Sequence, residues 1–276
     1  MAKRSDIAAV TAREAGKGDS APEGFQPVAV ESPIAHPMRF RLRCLLDLQL
    51  ATIVEHLRPA LGDLHGAVLD VGAGESPWRA WLPPDTHYTG LDVGHAADFG
   101  MDSRRSDIVY YDGRTMPLAD DRFDAVLCIE VLEHATDPSL LLDEIFRVMK
   151  TNSTLLLTVP WSARRHHIPH DYHRFTREQL GIMLRAAGFS NVDVRERGND
   201  ICAIANKLIV LTIRLTRPRS PWRAILALPA AAFCGLLATG FAVCAHLSVA
   251  LGKGSRDDPL GYFVRARKGA GARSLS

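Results

Sequence analysis

This chain of 276 residues has few cysteines and almost no net charge. The five cysteines form no Cys-x-x-Cys pair, and their number is odd, which argues against a disulfide framework or a zinc ribbon and favours a reducing compartment. The 33 basic and 31 acidic residues leave a net charge of +2, so no nucleic-acid partner is expected. The hydrophobic share of 47% is sufficient for a packed core.

The two ends of the chain lack the patterns of ordered structure. Residues 1–35 are polar and small, and no apolar stretch follows Lys3 and Arg4, so they predict a disordered tail rather than a signal peptide. A second tail is predicted over 269–276. Residues 36–61 carry apolar side chains at helical spacing and predict one amphipathic helix that leads into the core.

Strand-like and helix-like segments alternate through the centre of the chain. Short apolar stretches predict strands at 67–71, 87–92, 108–111, 123–129, 154–159 and 191–196. Helices are predicted over 140–150 and between a capping box that starts at Thr176 and the terminating Gly188. This alternation predicts an α/β fold with a mostly parallel sheet and helices on both faces.

The last third of the chain contains a long segment without charge. After four arginines within 214–223, no Asp, Glu, Lys or Arg occurs from 224 to 252, which exceeds the ~20 residues needed to cross a bilayer. Residues 262–267 then alternate like a final strand. The chain therefore divides into a core over 36–200, an apolar helical insertion over 201–257 and a closing strand over 258–268.

Glycine and acidic residues follow the first two predicted strands. The first strand ends in LDVGAGES, where Gly72 and Gly74 allow backbone to approach a ligand closely. Asp92 ends the second strand, where a carboxylate can accept both hydroxyls of a ribose. A nicotinamide-dependent oxidoreductase would share these features, but Pro77 occupies the position of the third glycine in its fingerprint.

The third and fourth predicted strands also end in polar residues. Asp112 and Gly113 suit the edge of an adenine, and Glu130 and His134 follow the fourth strand. Because ligands in open α/β sheets bind outside the carboxyl ends of the strands, all these side chains are expected to face one crevice. Two structural alternatives remain: Glu130 could cap a helix, and His134 could be a partly buried residue at a helix end.

Together these segments resemble the class I S-adenosylmethionine-dependent methyltransferases, in a bacterial subgroup with a GAGxSP first loop. The similar segments are LDVGAGES, YTGLDV, YYDGRTMPLADDRFDAVLCIEVLEH and HDYHRFTREQLGIMLRAAGF. The resemblance implies a Rossmann-like seven-stranded sheet and S-adenosyl-L-methionine as cofactor. It implies cofactor-binding roles for these residues: Asp70, Gly72, Ala73, Gly74, Asp92, Asp112, Gly113 and Glu130. One departure is that Pro83 and Pro84 cut short the helix expected after the glycine loop.

A histidine-rich loop follows the fifth predicted strand. Its spacings of three and four would suit zinc on a helix, but Pro169 and the neighbouring basic residues favour a lid over the acceptor, and no metal is expected. The lid candidates are His170, Tyr172, His173 and Arg174. The resemblance implies in-line transfer of an already activated methyl group, for which a base is needed only with some acceptors. The candidate bases are His134, His170 and His173.

The apolar insertion predicts a membrane-associated enzyme at the cytoplasmic face, with a small-molecule, lipid or envelope-precursor acceptor. If the closing strand joins the sheet, the insertion must cross an even number of times or not at all. Residues 201–213 are short for a span and contain Lys207, so a non-spanning insertion is expected that bends near Pro229 or Gly235–Gly240. The alternatives are a soluble helical pair on the sheet and a non-catalytic membrane-tethered cofactor-binding protein.

Overall fold

The computed structural model describes residues 30–94, 105–218 and 220–269, with only the backbone of Pro221 and Arg223. The predicted terminal tails lie largely outside these ranges, as does Arg219 of the arginine cluster. The helices are α1 (Pro37–Leu46), α2 (Leu48–Gly62), α3 (Pro138–Val148), α4 (Arg177–Ala186), α5 (Asp200–Leu215) and α6 (Pro221–Ala250). The strands are β1 (Gly66–Val71), β2 (Thr86–Val93), β3 (Ile108–Tyr111), β4 (Phe123–Ile129), β5 (Met149–Pro160), β6 (Phe189–Arg197) and β7 (Gly261–Lys268).

The seven strands form one sheet in the order β3-β2-β1-β4-β5-β7-β6. The first five strands in this order pair in parallel, and β7 is antiparallel to both of its neighbours. The predicted Rossmann-like, mostly parallel sheet with a closing strand is therefore confirmed. Because β5 and β6 are both antiparallel to β7, β6 ends and β7 begins at the carboxyl edge of the parallel strands.

Alternating side chains of the buried strands pack against helices on the two faces of the sheet. On β1, Val68 faces the cluster that contains α2, while Leu69 and Val71 face the cluster that contains α3 and α4. This period of two arises because successive side chains of a strand point to opposite faces. A sheet buried on both sides explains why its strands read as almost continuous apolar runs.

One local prediction about helices is wrong, and the predicted shortening of the helix after the glycine loop is confirmed. The single helix over 36–61 is broken at Asp47, which has an extended backbone and accepts a hydrogen bond from the Leu50 amide, so that it caps α2. After the glycine loop the chain forms only a short 3-10 helix, Pro77–Trp81. Its Trp78 packs into the α2 face of the sheet, which fills the place of a longer helix.

The insertion forms an antiparallel pair of helices, α5 and α6, that leaves the sheet at its carboxyl edge. At the end of the pair nearest the sheet, the side-chain Nδ2 of Asn199 donates a 2.9 Å hydrogen bond to Ser248 Oγ. Further from the sheet, Gly235 of α6 lies opposite Thr212 of α5. The predicted bend near Pro229 or Gly235–Gly240 is wrong, because α6 is one unbroken helix of 30 residues. A Cβ at Gly235 would lie 3.4 Å from Thr212 Cγ2, so this glycine serves close helix packing.

Candidate functional site

A cleft of about 460 Å³ opens at the carboxyl edge of the sheet beside β1, β2 and β4. Its volume lies in the range of small-molecule and cofactor sites. Eight residues predicted from the sequence line it together: Gly72, Gly74, Asp92, Asp112, Gly113, Glu130, His134 and His170. Their assigned roles in cofactor binding and catalysis stay predictions. Three others, Asp70, Ala73 and His173, are not among the lining residues.

The glycine loop after β1 makes a tight turn that only glycine fits. Gly72 has a φ of +67°, and a Cβ there would lie 2.3 Å from Val131 Cγ2. The amides of Gly72 and Ala73 both donate to the carbonyl oxygen of Leu91, which ties the turn to β2. Ala73 points into the core rather than into the cleft, and it is buried.

Asp92 joins the glycine loop to the end of β2. Its Oδ2 accepts a hydrogen bond from the Gly74 amide at 3.0 Å, and its Oδ1 accepts one from the Val93 amide at 2.7 Å. The carboxylate that shapes the loop also lines the cleft.

Asp112 is held at the end of β3 by the backbone that follows it. The amides of Arg114 and Thr115 donate to its Oδ1 at 2.8 and 3.1 Å, and these hydrogen bonds lower the pKa of the Asp112 carboxyl. Gly113, with a φ of +78°, turns the chain across the mouth of the cleft. Because Asp112 is held in place and Gly113 has no side chain, this wall of the cleft leaves room for a flat ligand.

Asp70 lies beneath the glycine loop, where it is 2% exposed. Its Oδ2 accepts a 2.8 Å hydrogen bond from the Tyr88 hydroxyl. Burial raises the pKa of Asp70 to about 7; the Tyr88 hydrogen bond opposes this shift and the nearby charge of Asp92 adds to it. Asp70 is therefore not among the residues that line the cleft, and its assigned role in supporting the cofactor stays a prediction.

Glu130 lies in one wall of the cleft. Its backbone is strained, with a φ of +56°. Its Oε1 accepts a 2.8 Å hydrogen bond from Arg197 Nη2, and the Arg197 side chain is fully buried. Arg197 was not predicted as a site residue, because its partner Glu130 lies 67 residues earlier in the chain. The only signal in the sequence is that the basic Arg197 directly follows the strand predicted over 191–196. Glu130 thus has an ion-pair partner rather than the helix-capping role considered above.

The histidine-rich loop is bonded to the segment after β4. The amides of Tyr172 and His173 both donate to the carbonyl oxygen of Glu133, and His134 Nδ1 lies 2.7 Å from the carbonyl oxygen of His170. His170 Nδ1 lies 3.0 Å from the Tyr172 hydroxyl, and both residues line the cleft as a lid would.

Two of the predicted lid residues are turned away from the cleft. His173 Nε2 lies 3.0 Å from the Ala135 carbonyl oxygen and its ring stacks on Phe175, so the structure does not bring this candidate base to the cleft. Arg174 forms an ion pair with Asp171, with 2.8 Å between Nη2 and Oδ2. Both side chains instead fix the path of the loop.

Comparison with known proteins agrees with this geometry. Residues 69–157 match a family model described as a methyltransferase domain. A ubiquinone biosynthesis O-methyltransferase of Pseudomonas entomophila is 27% identical over 152 residues, which cover 46% of this chain and 66% of that protein. An uncharacterized methyltransferase of Mycobacterium bovis is 34% identical over 117 residues, 41% of this chain and 44% of that protein. The chain thus spans less than two thirds of the length of these relatives.

Two solved structures are also similar to this chain at low sequence identity. A SAM-dependent methyltransferase of Archaeoglobus fulgidus has a TM-score of 0.48 at 17% identity, over 84% of this chain and all of that one. A phosphoethanolamine N-methyltransferase of Haemonchus contortus in complex with S-adenosyl-L-methionine has a TM-score of 0.46 at 15% identity, over 91% of this chain and 62% of that one. Residues 69–157 thus match a methyltransferase domain, and they include the glycine loop, β2, β3 and β4.

Proposed function

We propose that this protein transfers a methyl group from S-adenosyl-L-methionine to a lipid-like acceptor at the cytoplasmic face of a membrane. The observation that carries the proposal is that the cleft and the apolar α5–α6 pair leave the same edge of the sheet. An acceptor dissolved in or attached to the membrane would then meet the cleft without leaving the surface. A small water-soluble acceptor or an envelope precursor would use the same cleft.

The residues of the cleft fit this cofactor. Asp92 would hold the ribose, Asp112 and Gly113 would flank the adenine, and the glycine loop would support the methionine part. The bound cofactor supplies a methyl group already activated by the sulfonium, so the protein contributes mainly positioning. The hydrogen-bond acceptors and the open wall that the described residues present support these roles.

His170 is the best-placed candidate base for an acceptor that must lose a proton. Burial, together with the neighbouring His166, lowers the pKa of His134 to about 3, so His134 is a weak base at neutral pH. His170 is more exposed and faces the cleft beside Tyr172. His170→Ala should therefore leave cofactor binding intact and reduce turnover. Equal loss of cofactor binding and turnover would contradict the lid and base roles.

Asp92→Ala is expected to weaken S-adenosylmethionine binding at least tenfold. Hydrogen bonds to a charged group contribute about 1.5–3 kcal/mol each, and the variant also loses the contact that shapes the loop at Gly74. Calorimetric titration measures the change, and Asp85→Ala at an exposed carboxylate is the control. An unchanged dissociation constant in folded Asp92→Ala would refute the ribose assignment, and binding of NAD alone would overturn the cofactor.

Helix α6 has the dimensions and composition of a membrane helix. Within it, Ala224–Ala250 has a mean hydropathy of 2.0, and only 11% of its most apolar window is buried. A core helix of a soluble protein can pass the same length and composition test, but such a helix is mostly buried. The exposed apolar surface of α6 is therefore the feature that a membrane would cover.

The exposed and buried sides of α6 are separate. Ala231, Ala238 and Ala245 are buried, whereas Phe233 and Leu236 are 64% and 73% exposed. At 100° per residue, the two large side chains lie on the side of α6 opposite the alanines. Since Ala245 packs with the start of α5, α6 presents this apolar side away from its partner helix.

Helix α1 extends the apolar surface. Its large exposed apolar side chains lie on one face of the helix, and they are Met38, Leu42, Leu45 and Leu46. His246 Nε2 of α6 lies 3.0 Å from the carbonyl oxygen of Leu45, so the two helices meet. The apolar surfaces of α1 and α6 thus meet at the sheet edge where the cleft opens. If both surfaces bind a bilayer, the cleft would lie close to the membrane.

Charged residues support a position in the interface rather than across it. Lys207 lies near the middle of α5, and its Nζ is 3.8 Å from Asp258 Oδ2 at an exposed ion pair. Arg214 and Arg217 lie at the far end of the pair, where crossing would carry them to the other side of the membrane. Both helices would then lie along the surface, with α6 in the bilayer interface and the arginines at anionic headgroups.

Phe233→Glu together with Leu236→Glu is expected to abolish binding to vesicles that contain phosphatidylglycerol. Flotation on a density gradient measures the bound fraction, and Ile182→Glu at an exposed apolar residue of α4 is the matched control. Failure of the unchanged protein to bind vesicles would contradict the membrane proposal. Labelling of Pro218→Cys from outside sealed cells, in a background without other cysteines, would show that the pair crosses the membrane.

A further inference from the structure

Three histidines from two segments of the chain meet at the wall of the cleft. His134 follows β4, and His166 and His167 lie in the loop after β5. One ring nitrogen of each lies within 4.8 Å of the others. No metal was expected from the sequence, because Pro169 and the basic neighbours of the loop histidines favoured a lid, and His134 lies in a distant segment.

A buried carboxylate without hydrogen bonds faces these histidines. Glu133 is 0% exposed, and neither of its side-chain oxygens has a hydrogen-bond partner among the described residues. Its Oε1 lies 3.6 Å from His134 Nε2 and 3.8 Å from His166 Nε2, which is too long for a hydrogen bond. A buried acid without partners is a costly arrangement that a bound cation would relieve.

The other nitrogens of two of the rings are already engaged. His134 Nδ1 lies 2.7 Å from the His170 carbonyl oxygen, and His166 Nδ1 lies 3.2 Å from the Arg164 carbonyl oxygen. An Nδ1–H that donates to a carbonyl leaves Nε2 with its lone pair, and both Nε2 atoms are turned toward Glu133. This is the orientation in which outer hydrogen bonds hold histidines that ligate a metal.

We propose that His134, His166, His167 and Glu133 form a binding site for a divalent transition-metal ion, with zinc as the best match. Imidazole nitrogens with one carboxylate are a usual donor set for zinc, at about 2.0–2.2 Å from the ion. The donor nitrogens of the three histidines are up to 4.8 Å apart in the structure, so an ion would draw them inward.

The site adjoins the cleft, since His134 and His167 also line it. Because four protein donors fill a tetrahedral zinc site, an oxygen of a hydroxylated acceptor would bind from the cleft as a fifth ligand, which would favour loss of its proton. This second part rests on the proposed function, whereas metal binding itself does not. The site therefore identifies hydroxyl compounds as the acceptor class.

The experiment titrates untagged, metal-free protein with Zn²⁺ against a chromogenic chelator, and with Co²⁺ followed by its visible spectrum. We expect one ion per chain, with affinity reduced at least tenfold in His166→Ala and in Glu133→Gln. Glu133→Gln keeps the shape of the side chain, and circular dichroism checks that both variants fold. His65→Ala, at an exposed histidine, is the control and should bind the ion like the unchanged protein.

Two results would overturn the metal site: absence of saturable binding, or binding that His166→Ala and Glu133→Gln leave unchanged. Titration of the unchanged protein with S-adenosylmethionine separates this outcome from failure of the proposed function. Cofactor binding without metal binding rejects only the metal site. Metal binding without cofactor binding rejects only the methyltransferase proposal and, with it, the acceptor class.

Discussion

Arg197→Met is expected to lower the free energy of unfolding by about 3–5 kcal/mol. The Arg197 guanidinium is fully buried, pairs with Glu130 and also donates to the carbonyl oxygens of Val159, Tyr262 and Gln49 at 3.2–3.3 Å. Methionine fills most of the space but leaves these acceptors, and one carboxylate, without a donor. Denaturant unfolding followed by circular dichroism measures the loss.

Arg195→Met is the matched control for this prediction. Arg195 lies on the same strand, but its ion pair with Asp193 is exposed, so its replacement should change stability by less than about 1 kcal/mol. The double variant Arg197→Met with Glu130→Leu should recover part of the stability, because the carboxylate is removed with its partner. Equal effects of the two single replacements would show that the buried pair does not stabilise the fold.

The stability of the cofactor-free protein is expected to fall as pH rises from 5 to 8. Asp70 has a pKa of about 7 in the folded protein, above its ordinary value near 3.8. A raised pKa means that the folded state binds the proton more tightly, so the stabilisation is complete below pH 3.8 and is lost as pH rises through 7. The difference of three pKa units corresponds to roughly 4 kcal/mol.

Thermal unfolding of the unchanged protein and of Asp70→Asn between pH 5 and 8 measures this dependence. Asparagine cannot ionise but can still accept the hydrogen bond from Tyr88, so the variant should have the flatter profile and the higher relative stability at pH 8. Parallel profiles for the two proteins would show that Asp70 is ionised across the whole range.

The sheet and much of the cleft could be predicted because they depend on local patterns. Parallel strands buried on both faces read as apolar runs, and their carboxyl ends meet at one edge whatever the details of packing. Gly72 directly follows β1 and Asp92 lies at the carboxyl end of β2, so their positions in the cleft came from the strand assignment alone. His173 shows the limit of this reasoning, since loop residues have no period that fixes where a side chain points.

The features that could not be predicted depend on contacts between distant segments. The Arg197–Glu130 pair joins residues far apart in the chain, and the approach of His134 to His166 depends on how one loop folds over another segment. The break at Asp47 was hidden because apolar spacing continues across it. Likewise, α6 continues through Pro229, although a proline removes one backbone hydrogen bond and is typical of a kink or a helix end.

The place of β7 between β5 and β6 has a consequence for the order of folding. Among the strands that the structure describes, β6 pairs only with β7, and β7 is made after the whole α5–α6 pair. During synthesis the apolar helices therefore emerge while β6 has no neighbour and the sheet is still open. Pairings between residues as distant as Thr154 and Arg267 form late, because closing a long loop is slow. A nascent chain would reach a membrane or a chaperone through α6 before its catalytic domain could close.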